Sequence, residues 1–329
     1  MGGMMRAAWY ERQGPARSVL RVGELPVPEP GPGEVRVRVV ASGIHIGDTG
    51  KRQGHWGSTM AFPRVVPHGD GAGVVDAVGP GGDEGRVGER VWVFLAQSYR
   101  PGGTAAEYTT VPAEHAVPLP DDIPFEQAAG LGIPGITGHR AVFAGGPVAG
   151  RNVLVTGAVG AVGRAAVASA LRGGATVVAA VRSERQLEQA RALGAQHAVL
   201  AGPGMAGRIA EAIGQERLDL AADVAFDAHV REIHEALRYG GEIATYASVD
   251  AEPRVPFWPL GFKNVTVRFL SNDDFPEEAN QHAARDLTTA LADGTLHYPV
   301  RARYALDRIA EAHEDVEHGS GSTRVTLEP

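Results

Sequence analysis

The sequence predicts an α/β protein in two parts: a β-rich region, and a parallel sheet wound with helices on both faces. Three observations carry that expectation. From Arg6 to about Leu119, short alternating runs such as Glu34–Val40 and Gly73–Val78 lie between Gly and Pro clusters, the pattern of half-buried strands. After Pro120, short apolar runs alternate with helical stretches, as a doubly wound sheet requires. Between the first of those runs and the first of those helices stands a glycine-rich turn, Gly157 to Gly163. The chain has 329 residues, enough for two domains of ordinary size.

The elements follow in order. Pro26 to Gly33 is an extended, Pro-rich connection. Phe125 to Ala144 reads as helix, broken around Gly132-Ile133-Pro134-Gly135. Asn152-Val153-Leu154-Val155-Thr156 is a nearly continuous apolar run, expected for a strand buried on both faces. Helix from Arg164 to Arg172, strand from Ala175 to Val181, helix from Ser183 to Leu193 and strand at Ala198–Leu200 come next. The alternation continues through Asp223–Phe226, Val230–Arg238, Glu242–Tyr246 and Val265–Leu270, then a helix from about Glu277 to Leu291. The closing strands Val300–Tyr304 and Arg324–Leu327 resemble the first region in texture, so the wound sheet is expected as an insertion within the β-rich domain. The expected division is residues 1–119 with 272–329, and residues 120–271.

Composition narrows the chemistry. There is no cysteine, which removes disulfides, thiol nucleophiles, thiolate zinc sites and iron–sulfur clusters, and fits a reducing cytoplasm. Lysine occurs only as Lys51 and Lys263, so arginine supplies the other 29 of 31 basic residues and Schiff-base chemistry has almost nowhere to sit. A net charge of −8 gives no global field toward nucleic acid or anionic lipid. No run reaches the roughly 18 apolar residues of a membrane helix, and Met1 to Arg12 lacks the features of a signal peptide.

The strongest motif is Thr156-Gly157-Ala158-Val159-Gly160-Ala161-Val162-Gly163. Glycines there permit a tight turn and let backbone N–H groups approach a pyrophosphate at the positive end of a helix. The end of the second strand then selects the dinucleotide. An acidic residue, about 20 positions on, would grip a ribose 2′-hydroxyl. This chain has Arg182, Ser183 and Arg185 instead, which suit a 2′-phosphate and hence NADPH. Glu184 falls at the start of the next helix, where an acid is favourable. The Tyr and Lys four residues apart that a short-chain dehydrogenase needs are absent: Gly47 and Pro259 stand four before the two lysines.

The β-rich region, Gly132-Ile133-Pro134-Gly135-Ile136-Thr137-Gly138 and the glycine cradle together resemble the zinc-independent medium-chain dehydrogenase/reductases, quinone oxidoreductase (zeta-crystallin-like) group. Further matching stretches are Pro67–Val75, Asp227–Gly241, Leu291–Gly294 and Arg324–Leu327. The resemblance implies a GroES-like β-rich domain, a Rossmann domain, a cleft between them and a homodimer. It places Thr137 near the nicotinamide, Tyr246, Ala247 and Ser248 along its other side, and Arg324 on the pyrophosphate. Zinc-dependent relatives have metal-binding cysteines near Ile44-His45-Ile46 and Ile133, and His and Glu where Gly69 and Asp70 stand. With those thiolates missing, no metal is expected. The substrate stretch keeps Asp48 and Arg52, but has His45 for the usual Asn, Gly50 for the first Tyr and Trp56 for the second. That leaves room at Gly50 for a flat acceptor stacked on Trp56.

The expected reaction is hydride transfer from NADPH to a quinone or an α,β-unsaturated carbonyl, a small-molecule partner. Negative charge then develops on oxygen, and His45, oriented by Asp48, is the expected proton source. Arg52 and Trp56 are the expected substrate contacts. The alternatives are an NADPH-binding structural or regulatory protein without turnover and, more distantly, an alcohol dehydrogenase.

Overall fold

The computed structural model describes residues 3–214, 217–319 and 324–329. The chain divides into two compact units, Met1–Pro134 with His297–Pro329, and Gly135–Leu296.

In the first unit the hub is the strand Glu34–Gly43, in which Val35, Val37 and Val39 are buried while Arg36 and Arg38 lie on the other face. It pairs antiparallel with Asp70–Val78, Tyr108–Pro112 and Arg324–Glu328. Register shifts at Arg36/Val37 and Val39/Ala41 bend it, so that one strand serves several neighbours. The sheet runs on through Arg90–Val93 to Ala116–Pro118 on one side and to Val300–Ala305 on the other. Its filling includes Val35, Val37, Val75, Val91, Val93 and Val111. Because Arg324–Glu328 pairs with Glu34–Gly43, the second unit is an insertion between strands of one sheet.

The second unit holds a six-stranded, all-parallel sheet. Its spatial order is His197–Leu200, Thr176–Val181, Asn152–Thr156, Leu218–Asp223, Leu237–Thr245, Thr266–Phe269. Numbered within the unit, that order is 3-2-1-4-5-6, the dinucleotide-binding arrangement whose ligands sit beyond the carboxyl ends of the strands. Asn152–Thr156 is buried throughout. Val153 and Val155 enter one core and Leu154 the other; Val177 and Ala179 likewise oppose Val178 and Ala180. Two cores on opposite faces explain why these runs are apolar without alternation.

The boundaries fall at 134/135 and 296/297, against 119/120 and 271/272 read from the sequence. Packing accounts for both shifts. The helix Phe125–Ala128 contacts the strands Glu34–Gly43 and Asp70–Val78, and the helix Glu277–Ala292 contacts Thr137–Phe143 and Ala161–Arg172. The helix break expected near Gly132 is a π-helical turn, Gly132–Ile136, between Phe125–Ala128 and Thr137–Phe143. Among the described residues no helix is long and apolar enough to cross a membrane.

Candidate functional site

In the second unit the strand Asn152–Thr156 ends in a turn with Gly157 at φ 60°, and the helix Ala161–Arg172 begins after Gly160. A Cβ at Gly163 would overlap the Gly157 carbonyl oxygen, so only glycine lets the first helical turn close on the loop. No side chain caps this helix and no acid occupies its first turn, which leaves its positive end to an anion. Ala158, Val159 and Gly163 are buried supports, while Gly160, Ala161 and Val162 are half-buried at the turn. The residues present therefore fit a dinucleotide pyrophosphate.

The second strand, Thr176–Val181, delivers Arg182, Ser183 and Arg185 to its carboxyl end, all exposed. Ser183 is the N-cap position of helix Glu184–Ala192, but its hydroxyl makes no capping bond, and Glu184 sits in the first turn. Among the described residues, neither Arg182 nor Arg185 has an ion-pair partner. Most other arginines do, including Arg36 on Asp76 and Arg238 on Asp219.

Thr156 donates its hydroxyl to Asp223 Oδ1 (2.7 Å) and accepts the Val224 N–H (2.9 Å), joining the cradle to the next strand. Asp223 is fully buried and also receives His229 Nδ1 at 2.7 Å and the Ala225 N–H at 3.2 Å. Sequence reading missed this carboxylate; its signal was one acid ending the otherwise apolar run Leu220–Ala222. The loop after Leu237–Thr245 carries Tyr246, Ala247 and Ser248. Tyr246 packs its ring on the apolar core with its hydroxyl buried, and burial, then Asp223, push its pKa up. Ser248 Oγ lies 3.0 Å from Asp227 Oδ1 and 2.7 Å from the Asp250 carbonyl, so it holds its own loop. What Tyr246, Ala247 and Ser248 present at the strand end is backbone and the exposed Ala247. Thr137 is buried at the start of its helix. Arg324 opens the last strand, and its side chain lies outside the described residues.

In the first unit the imidazole of His45 pairs with the carboxylate of Asp70, both buried. Asp70 Oδ2 also accepts the Ile133 N–H at 2.6 Å. A side chain at Gly132 would overlap that carboxylate, which explains a glycine in the broken helix. Asp48 meets the backbone of His45. Its Oδ2 accepts the His45 backbone N–H at 2.8 Å and its Oδ1 the Gly69 N–H at 3.2 Å. His45 and Asp48 form a capping box over helix Ile46–Gln53, with the Asp48 backbone N–H toward the His45 side chain. Burial, reinforced by Asp70, raises the Asp48 pKa. The His45 ring therefore has Asp70 on Nε2 and the helix start on its other side.

A chain of hydrogen bonds lies alongside. His313 Nε2 meets His68 Nε2 (2.9 Å), His68 Nδ1 meets Ser42 Oγ (2.8 Å), Ser42 meets Thr104 Oγ1 (2.7 Å), and Thr104 donates to the Asp70 carbonyl (2.5 Å). One direction of donation, from His313 toward Asp70, satisfies these bonds and leaves only an acceptor at the unpartnered His313 Nδ1.

Arg52 and Gly50 bring two further corrections. Arg52 is fully buried, its guanidinium on the Gly14 carbonyl and Glu317, so it ties helix Ile46–Gln53 to the chain termini and does not face a substrate. The room expected at Gly50 is filled: a Cβ there would overlap the ring of Trp56. Trp56 itself remains 67% exposed at φ 56°, a left-handed conformation rare for a bulky residue.

This fold, with its capless glycine cradle and unpaired arginines, defines a nicotinamide-dependent oxidoreductase of the medium-chain type. Residues 31–121 match the family model described as alcohol dehydrogenase GroES-like domain, and 161–285 that described as zinc-binding dehydrogenase. The quinone oxidoreductase of Homo sapiens is 30% identical over 325 residues, 97% of this chain and 96% of that one. The 2-haloacrylate reductase of a Burkholderia species is also 30% identical, over 94% and 95% of the two chains. A mycobacterial protein solved in complex with NADPH superposes with a TM-score of 0.83 at 27% identity, covering 99% of this chain and 100% of that one. The chain belongs to the quinone oxidoreductase (zeta-crystallin-like) family of the medium-chain dehydrogenase/reductases.

The zinc in one family description does not fit the donors present at the matching positions. There is no cysteine; both Asp48 oxygens accept backbone N–H groups, both His68 nitrogens are bonded, and Asp70 holds His45 and Ile133.

Proposed function

We propose that this enzyme uses NADPH to reduce a conjugated acceptor, either a quinone or an α,β-unsaturated carbonyl. The observation that carries the reading is the pair Arg182 and Arg185, exposed and without ion-pair partners beside the cradle. Two uncompensated guanidinium groups there suit a 2′-phosphate, while the nearby acid, Glu184, sits in the first turn of the following helix. When bound, NADPH would supply the hydride, and reduction of the acceptor would be completed by one proton.

The chain's own contribution is positioning. Backbone N–H groups from Gly157 to Gly163 hold the pyrophosphate at the helix start. Thr137 and the Tyr246–Ser248 backbone stand for the surfaces expected to flank the nicotinamide. Trp56 supplies an exposed aromatic face on which a flat acceptor stacks. The relatives include both a quinone oxidoreductase and a 2-haloacrylate reductase, so both kinds of conjugated acceptor belong in the test.

The test is anaerobic NADPH consumption against a small quinone, a flat polycyclic quinone and a cyclic enone, with product analysis. Hydroquinone or saturated carbonyl formed with NADPH, at much lower concentration than NADH requires, is the expected result. NADH bound as tightly as NADPH would overturn the 2′-phosphate assignment. Tight NADPH binding with no turnover of any acceptor would overturn the reductase reading in favour of a binding protein.

A further inference from the structure

A cluster of ligand-type side chains lies in the second unit, outside every position considered above. It forms where the helix Thr137–Phe143 packs on the helix Glu277–Ala292. The first helix contributes His139; the second contributes His282 and Asp286, one turn apart and therefore on one face. His139 Nε2 lies 2.9 Å from Asp286 Oδ2, and His282 Nε2 lies 3.3 Å from the same oxygen. One ligand atom from each residue falls within 4.8 Å of the other two. Among the described residues, no other group of three His, Cys, Asp or Glu side chains converges in this way.

The surroundings also suit a bound ion. The two rings stand edge to face with centroids 5.0 Å apart, and Phe143 packs against both, which fixes their orientation. The His139 side chain is only 3% exposed, whereas those of His282 and Asp286 are 54% and 43% exposed. One ligand is therefore anchored in the interior while the other two open to water. Asp286 also lines a cleft with Phe143, Ser169, Arg172 and Ala290, which gives water access to the remaining coordination positions. Metal–ligand bonds of about 2.0–2.2 Å at octahedral to tetrahedral angles put neighbouring ligand atoms about 2.8–3.6 Å apart, which spans the nitrogen–oxygen separations of 2.9 and 3.3 Å here. Two imidazoles and a carboxylate, with open positions, are a donor set for zinc and its first-row neighbours.

We propose that His139, His282 and Asp286 bind one divalent first-row transition ion such as zinc, clasping these two helices together. In the metal-free protein His139 hydrogen-bonds Asp286 and His282 lies 3.3 Å from the same carboxylate oxygen; in the loaded protein the ion stands among the three ligand atoms. The site is separate from the dinucleotide cradle and from the His45–Asp70 pair, so it stands whether or not the proposed reductase activity does.

The experiment uses the full chain without a histidine tag, treated with a chelator and titrated with Co²⁺ as a spectroscopic probe. One equivalent is expected to bind with visible d–d bands that zinc abolishes, and zinc is expected to raise the melting temperature. His282→Ala, at an exposed position that the fold tolerates, and Asp286→Asn are each expected to weaken zinc at least about tenfold while leaving NADPH binding unchanged. His139→Gln is expected to do the same, but it alters a buried site and serves as the third variant. Wild-type protein without stoichiometric Co²⁺ bands would overturn the proposal. So would zinc affinities of His282→Ala and Asp286→Asn within about twofold of wild type, a difference too small for a lost ligand.

Discussion

His45 holds Asp70, and Asp48 holds the backbone of His45. That division of labour places a buried carboxylate and a buried imidazole in contact, with Ile133 N–H as a further donor on the carboxylate. Removing one member of a buried, bonded polar pair leaves the other desolvated without its partner, a cost of about 1–3 kcal/mol, more where the group left behind is charged. His45→Ala is therefore expected to lower stability by about 3 kcal/mol in urea unfolding, while the folded fraction retains NADPH affinity and turnover. A variant as stable as wild type whose kcat drops a hundredfold would return the ring to the chemistry.

Arg182 and Arg185 bear on the choice of cofactor. Each hydrogen bond to a charged group is worth about 1.5–3 kcal/mol, roughly 10- to 150-fold in affinity. Arg182→Ala is expected to raise the NADPH dissociation constant by at least about tenfold and to leave NADH nearly unchanged, with Arg185→Ala similar in direction. Fluorescence titration of both cofactors decides it. Equal losses for the two would place these arginines on the shared part of the dinucleotide.

What the sequence made legible was local. The period-2 run at Glu34–Val40, the apolar run at Asn152–Thr156 and the glycines from 157 to 163 each encode their element within a few residues, because burial and backbone freedom act at short range. Reading Gly132 as a break was right for the same reason, but its cause lies 62 residues earlier, at Asp70. The site errors share this origin. Spacing put Asp48 beside His45, yet the ring's partner is Asp70, brought in by a different strand. Arg52 was expected as a substrate contact because its partners, Gly14 and Glu317, are distant in the chain. Asp223 was similarly hidden, since Thr156 and His229 reach it only after the sheet forms.

Gly50 and Trp56 act as one unit, since the indole occupies the space that a side chain at position 50 would take. Gly50→Ala is expected to push the ring from its seat, and Trp56→Ala to remove the stacking face altogether. Aromatic stacking is worth about 0.5–1.5 kcal/mol beyond area burial, so Trp56→Ala should raise KM for a polycyclic quinone by about 3- to 10-fold. The effect on a small cyclic enone should be smaller, because it offers less surface. A double-mutant cycle is the stronger check: once Trp56 is gone, Gly50→Ala should have little further effect on KM. Additive losses would show that the two positions work independently.

His68 and His313 set a pH limit on stability. Burial, then the charge of His45, pushes the His68 pKa down to about 3, and burial, then His68 and Arg52, holds His313 well below 6.5. The groups facing the pair are Ser42 on His68 Nδ1, with His45 and Arg52 as the nearby charges. In the unfolded chain both rings take up protons near pH 6.5. In the folded chain His68 resists protonation until about pH 3 and His313 until well below 6.5, so below pH 6.5 the unfolded state binds more protons. Stability is thus fully present above pH 6.5 and declines as pH falls, by up to about 1.4 kcal/mol per pH unit for each ring. Urea unfolding between pH 7 and pH 5 should show this decline. His313→Gln, which cannot titrate, should shallow it by about one proton's worth. An unchanged slope in that variant would mean that other groups control acid stability.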